Sequence, residues 1–509
     1  MNVALRAAPD GAQRTQVLAR LTAAFAAGAS LNAGFAPFGW WPMALLAPAA
    51  LFALIRGLPP RRACAAGAAF GVGLFAFGTY WLYTCLHVFG LVPLWLTIVL
   101  QTVLIAAMSA YLAALCYLAN RFWLKPGATR HWLVLPALWV LLEWLRGWLL
   151  SGFPWLSTGY AMVDSPLRGW APIFGVYGVT WGAATVSVAL SVMGLPGLPL
   201  SRRCLAVGAA AILFVAPALL ARHHWTRAAG PPIAIAAVQG AVPQDQKWQL
   251  KNREFTMQRY WRLTGEAWGS RLIIWPEAAL PVLAPDIPNY LAALKEQGRA
   301  HDADIVIGLV NYLPATKQYF NGMLVLSQSG DGWYYKRHLV PFGEYFPVPA
   351  FVRSWLRLMS LPYDDFAAGA PHQTTLSAAG QPLGLTICYE DAFGSAQLGV
   401  LRQATLLINV TNDAWFGDST ARHQHLQIAR MRALEAGRFL VRAANDGITA
   451  VIDSQGKIAA RLPQFQEGVL RADVQPMTGL TPYARLGNYP VVLGALGCLA
   501  IAVWRRRRA

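Results

Sequence analysis

The chain has 509 residues, 56% hydrophobic and only 13% charged, with a formal net charge of +18. That is too apolar for an ordinary soluble protein, and long enough for more than one domain. The basic excess is scattered through short segments between apolar runs, which argues against a nucleic-acid surface as its origin.

Long apolar runs with few interior charges fill residues 17 to about 222 and 488–504, whereas 231–480 carries charges, turns and short strands. A helix needs about 20 apolar residues to cross the hydrocarbon core. Runs at 17–35, 39–55, 64–86, 92–119, 132–149, 171–194, 204–221 and 488–504 therefore predict about eight transmembrane helices. The second, "WWPMALLAPAALFAL", is short and proline-interrupted, so it is expected to be kinked or only partly inserted. The first does not read as a cleaved signal peptide, because no small-residue cleavage site leads into a soluble stretch. The expected organisation is residues 1–222 as N-terminal membrane helices, 231–480 as one globular domain and 488–504 as a last membrane helix.

Orientation follows from the basic residues of the short loops. Arg6 and Arg14 precede the first run, and Arg56, Arg61 and Arg62 follow the second. Arg121, Lys125 and Arg130 lie between the fourth and fifth, Arg202 and Arg203 between the sixth and seventh, and "WRRRRA" closes the chain. The alternate loops are nearly free of them, so both termini are expected in the cytoplasm and the 231–480 domain outside. Five of the six cysteines (Cys64, Cys85, Cys116, Cys204, Cys498) fall in or beside apolar runs. Cys388 stands alone in the exported domain. In an oxidising compartment a lone thiol is either buried and inert or kept for its reactivity.

Within 231–480, segments 233–240, 272–277, 304–310, 321–327, 383–390 and 406–413 read as strands, and 248–268, 288–300 and 421–438 as helices. This alternation predicts a layered α/β fold. Strand ends carry Gln239, Glu277, Cys388 and Asn412, where sites in such folds gather. Glu277 either serves as a general base or caps a helix. Lys336 lies among aromatics that could desolvate it, or on the surface. Cys388 must become a thiolate to attack a carbonyl, and a free thiol titrates near pH 8.5.

The segments "WPE", "YYKRHLVPFGE" and "GLTICYED", in this order, resemble the nitrilase superfamily, whose fold is an α–β–β–α sandwich and whose site is a Glu–Lys–Cys triad. With apolar runs on both sides, and with "FPWLSTGY", "VQG", "KW" and "NVTNDAWFG", the chain resembles the bacterial apolipoprotein N-acyltransferase family. The resemblance implies Glu277 as base, Lys336 as the cation stabilising the oxyanion and Cys388 as nucleophile. Glu344 would orient the lysine and cysteine, Tyr389 and Glu390 follow the nucleophile, and the Tyr389 N–H is an expected oxyanion donor. It implies ping-pong transfer of an acyl chain from a membrane phospholipid, expected to be phosphatidylethanolamine, to the N-terminal amine of a diacylglyceryl-cysteine apolipoprotein. The place implied is the inner membrane, with the catalytic domain in the periplasm. No cofactor is implied, and a monomer is expected.

Trp248, Asn412, Trp415 and Phe416 are expected to line the substrate path. The apolar stretch 345–363 suits lipid contact or core packing. His423 and His425 stand two apart, poor spacing for a metal, and no metal is assigned. Glu143 and Arg146 inside the fifth run either pair with each other or meet lipid headgroups. The rival reading is a membrane-tethered amidase for small soluble substrates, which predicts no lipid dependence. A receptor or transporter would leave the triad unexplained, and the runs show no ladder of ionisable residues.

Overall fold

The computed structural model describes residues 10–122, 131–193, 199–345 and 365–507. Its first part is helical: α1 (Asp10–Leu31), α2 (Met43–Leu54), α3 (Pro60–Gly78), α4 (Leu94–Phe122), α5 (His131–Arg146), α6 (Ala171–Met193) and α7 (Leu200–Leu220). Two stretches, Leu94–Phe122 and Pro166–Met193, are by length and composition able to cross a membrane unaided. The second apolar run forms only twelve helical residues around Pro48. The third departs from the expected continuous span. Its helix stops at Gly78, and a separate π-helical turn, Thr84–Phe89, follows.

The remainder is a four-layer sandwich. One sheet runs β13 (Gly468–Val474), β2 (Ile233–Gln239), β3 (Leu272–Ile274), β4 (Asp304–Leu313), β5 (Gln318–Leu326), β6 (Gly332–Tyr335). The other runs β12 (Ile458–Arg461), β11 (Ala450–Ile452), β10 (Leu440–Ala444), β9 (Leu406–Thr411), β8 (Gln381–Ile387), β7 (Ser377–Ala378). A short pair, β1 (Arg227–Ala228) with β14 (Met477–Thr478), ties the two ends of the domain together. β2, β3 and β4 are parallel, as are β8, β9 and β10. Strands covered on both faces read as near-continuous apolar runs, which is why β2, β3, β4, β8 and β9 were legible; β10, with Arg442 inside it, was not.

Between the sheets, Ile235, Ile274, Val306 and Met323 meet Leu385, Ile387, Ile408 and Val441 in one core. Outside the first sheet, Tyr260 and Leu263 of α8 (Arg253–Ala267) and Leu294 of α9 (Pro288–Ala300) cover Ile273 and Ile305. Outside the second, Leu426, Ala429 and Ala433 of α10 (Thr420–Ala436) cover Leu407 and Leu440. The expected α–β–β–α fold is thus present. The opposite face of α10 joins the core of the helical part through Ala421, Ile428, Met431 and Leu434. Because α10 is buried on both sides, its polar side chains must find partners inside the protein. α11 (Tyr489–Arg507) ends the described chain against α5.

Candidate active site

Three strand ends converge. β3 stops because Pro276 has no N–H to continue the ladder, and Glu277 follows at once. Gly308 on β4 passes directly behind it, where an added Cβ would stand 2.2 Å from the Pro276 carbonyl oxygen and 2.7 Å from Glu277 Cα. β6 delivers Lys336, whose N–H donates to the Asn321 carbonyl at 2.9 Å. β8 delivers Cys388.

Lys336 is 1% exposed, and its Nζ lies 2.8 Å from Glu344 Oε1 and 3.5 Å from Glu277 Oε1. Asn321 Nδ2 donates to both carboxylates, at 2.7 Å to Glu277 Oε1 and 2.8 Å to Glu344 Oε1. Glu277 Oε2 accepts from the Asn412 N–H at 2.8 Å, and Glu344 Oε2 from the Val340 N–H at 2.8 Å. Burial opposes the ammonium charge, but Glu344 and Glu277 outweigh it and hold Lys336 well above its ordinary value. The lysine is therefore a fixed cation. Lys247, also buried, donates to the Glu277 carbonyl at 3.4 Å, and burial pushes it down to about 8.

Cys388 has φ 50°, a left-handed conformation costing on the order of 1–3 kcal/mol for a residue with a Cβ. The 3₁₀ turn Cys388–Ala392 that follows swings the thiol out of the sheet. Burial, then the Glu277 carboxylate, push the thiol well above the ordinary cysteine range, while Lys336 pulls it back. Its surroundings therefore disfavour the thiolate, and the Glu277 carboxylate is close enough to add to that effect. Glu390 fixes the turn: its carboxylate accepts from the N–H groups of Ile387 (2.8 Å), Arg337 (2.7 Å) and His338 (3.2 Å), and from the Tyr334 hydroxyl (2.9 Å). Burial raises the Glu390 carboxyl, and the Ile387 and Arg337 N–H groups partly offset this.

This arrangement meets its sequence relatives. Residues 27–189 match the family model for the apolipoprotein N-acyltransferase N-terminal domain, and 234–483 that for carbon-nitrogen hydrolase. An apolipoprotein N-acyltransferase from Methylococcus capsulatus is 42% identical over 490 residues, covering 95% of this chain and 96% of that one. Another from Azotobacter vinelandii is 40% identical over 502 residues, covering 95% of each chain. The chain belongs to the apolipoprotein N-acyltransferase family. A solved amidase from Nesterenkonia sp. is 17% identical, covers 52% of this chain and 97% of its own, and superposes with a TM-score of 0.36. The family assignment rests on the two relatives and the matched domains.

The helical part of the chain builds a wall against the nucleophile turn. Trp155 of "FPWLSTGY" stacks on Tyr389 at 6.2 Å and donates to Gln424 Oε1 at 2.7 Å. Tyr389 donates to the Gly152 carbonyl, and Tyr160 to the Ala392 carbonyl, each at 3.3 Å. Glu143 and Arg146, expected either to pair or to meet headgroups, do neither. Both are buried and hold this segment. Glu143 accepts from Trp139, from the N–H and hydroxyl of Thr158, and from Thr180. Arg146 donates to the carbonyls of Phe153 (2.7 Å) and Trp155 (2.6 Å) and to Ser157.

The four residues expected to line a substrate path have different surroundings. Trp248 is half exposed in the turn before α8. Asn412 is buried; its side chain donates to Gln244 and accepts from Asn445, so it braces Glu277 rather than presenting itself to a ligand. Trp415 packs on Phe89 of the π-helical turn, and Phe416 on Trp81 and Trp155. Of the apolar stretch 345–363, only Tyr345 is among the described residues. Gln239 holds the carbonyls of Pro463 and Gln466, a structural role.

Sequence reasoning missed Asn321 and a buried network under the turn. His425 Nε2 donates to the Cys388 carbonyl at 3.2 Å, while its Nδ1 lies 2.9 Å from Asp413 Oδ1. Arg442 donates to Asp413 at 2.7 Å and to Asn409 at 2.7 Å. Burial works against the Asp413 charge, yet Arg442 and His425 hold its carboxyl far below the carboxylate range. His425 is thus occupied in supporting the nucleophile, and its neighbour His423 turns to Gln464. For Asn321 the available signal was its place at the head of a predicted strand; for the network, Asn409 and Asp413 within and just after a predicted apolar strand.

Proposed function

We propose that this chain transfers an acyl chain from a membrane phospholipid, phosphatidylethanolamine, to the N-terminal amine of diacylglyceryl-cysteine apolipoproteins. One observation carries the reading: a buried Glu277–Lys336–Glu344 cluster held by Asn321 beside a strained Cys388, walled by apolar helices. A soluble amidase would need no such wall, and the family of the chain does not favour that alternative.

In the first half-reaction Glu277 takes the thiol proton as Cys388 Sγ attacks the ester carbonyl carbon. Lys336 and the Tyr389 N–H stabilise the oxyanion. The carbon–oxygen bond to glycerol then breaks, Glu277 returns its proton to the departing oxygen, and lysophospholipid leaves a thioester behind. In the second, the α-amine attacks the thioester carbon and Glu277 takes a proton from nitrogen. The carbon–sulfur bond breaks, Glu277 reprotonates the thiol, and the amide product departs. Glu277 has room for this role, since the donors on its two oxygens leave lone pairs free. Trp248, Trp415 and Phe416 fit contacts to the incoming lipids.

The chain works as a monomeric, multi-pass inner-membrane enzyme of about eight transmembrane helices, both termini cytoplasmic and residues 231–480 in the periplasm. The arginine distribution supports that orientation, and the apolar helices beside the site bring lipid esters to the thiol. The test is acylation of a synthetic diacylglyceryl-cysteine peptide in phosphatidylethanolamine vesicles. N-acylated peptide that depends on both lipid and Cys388 supports the reading. Equal turnover of a small soluble amide without lipid overturns it in favour of the amidase.

A further inference from the structure

A groove far from the triad in sequence has an unusual composition. Leu46, Ala49, Ala50 and Ala53 lie on one face of α2 and meet Leu190 and Ser191 of α6 around about 590 Å³ of open volume. Three alanines in one turn and a half keep its floor low and apolar. Arg56 closes one end, immediately past the last turn of α2. Its Nη2 donates to the Ser191 carbonyl at 3.2 Å and to Ser191 Oγ at 3.4 Å. No carboxylate lies within ion-pair distance of it among the described residues. A guanidinium carries five N–H donors in a planar fork, and one edge of this fork is committed to Ser191. The other edge matches the two oxygens of a phosphodiester.

We infer that this groove is a phospholipid-binding site separate from the active site, seating one acyl chain along α2 and α6 and the lipid phosphate on Arg56. The occupant follows from the charge and the shape together. An apolar slot ended by one cation lacking an acidic partner fits an amphiphile with a single anionic head, whereas a peptide would leave its backbone polar groups unpaired against alanine. Twelve residues make α2 about 18 Å long, short of the hydrocarbon thickness. A seated lipid fills the volume that a full-length helix would occupy. The inference goes beyond the acyl-transfer reading and rests only on the helical part lying in a bilayer.

The test places the full chain in phosphatidylethanolamine and phosphatidylglycerol vesicles with a trace of phosphatidylglycerol bearing a diazirine in one acyl chain. After photolysis, labelled peptides from α2 and α4 are quantified. The expected result is α2 labelled well above α4, falling about tenfold in Arg56→Gln, as loss of a charge-assisted hydrogen bond requires. Ala53→Trp, which fills the slot, falls likewise, and a diazirine diacylglycerol with the same tails shows no enrichment. Thioester formation at Cys388 is unchanged in both variants, which certifies their fold. Label on α4 without enrichment on α2, or enrichment indifferent to Arg56→Gln, overturns the inference. Absence of label on α4 as well would instead overturn the membrane reading itself.

Discussion

Glu277 and Lys336 act on the same sulfur in opposite directions, and that opposition can be measured. Burial and the Glu277 charge raise the Cys388 thiol, and Lys336 lowers it. Replacing the carboxylate by an amide removes a charge that disfavours thiolate. Glu277→Gln should therefore alkylate faster with iodoacetamide at neutral pH than the parent chain, while its acyl transfer falls by about 10²–10⁴, the contribution of a general base. Lys336→Met should shift alkylation the other way and also lose transfer, by roughly 10²–10³ for an oxyanion partner. In the parent chain the alkylation rate should still be climbing at about pH 10, where a free thiol has levelled off. A plateau near neutrality would mean a thiolate at rest and no need for Glu277 as base. Slower alkylation in Glu277→Gln would contradict the assigned electrostatics.

At the scale of elements, the site depends on close passage of strands. Gly308 has no space for a Cβ behind Glu277, so Gly308→Ala must push either β4 or the glutamate aside. Transfer should fall at least tenfold while the domain stays folded, seen as unchanged circular dichroism beside lost turnover. The buried strands and the chemistry at their ends were readable, because apolar runs ending in Glu277, Cys388 and Asn412 carry both signals at once. The strands after residue 438 were not. β10 has Arg442 at its centre, a residue that reads as loop until its partners Asp413 and Asn409 are seen across the core. The break after Gly78 was hidden for a different reason: the residues continue apolar through Phe89, and only packing of Phe89 and Trp81 on Trp415 and Phe416 explains the turn. Asn321 could be placed at a strand head, but its role could not be read, because it exists only when Glu277 and Glu344, from distant segments, are brought to one amide.

For the whole molecule, the helical part and the sandwich are one mechanical unit. Arg146 satisfies two carbonyls of the segment that faces Tyr389, so Arg146→Met leaves both unpaired in an apolar surround. A loss of about 2–4 kcal/mol is expected, read as a lower melting temperature in detergent, together with slower acylation of Cys388. A normal melting temperature would show that the segment stands without it. The topology has its own check. Cys204 is exposed near the start of α7, and Glu296→Cys would place a thiol on the outer face of α9. In intact spheroplasts an impermeant maleimide should label the introduced cysteine and spare Cys204 until the membrane is opened. Labelling in the reverse order would invert the orientation.

The most direct measurement is the intact mass of the purified chain after incubation with phosphatidylethanolamine, beside Cys388→Ala. The account predicts one added acyl mass, removed by neutral hydroxylamine and absent from the variant. If the folded, lipid-reconstituted chain acylates the diacylglyceryl peptide without ever carrying that mass, or carries it equally in Cys388→Ala, the thioester at Cys388 is not the intermediate.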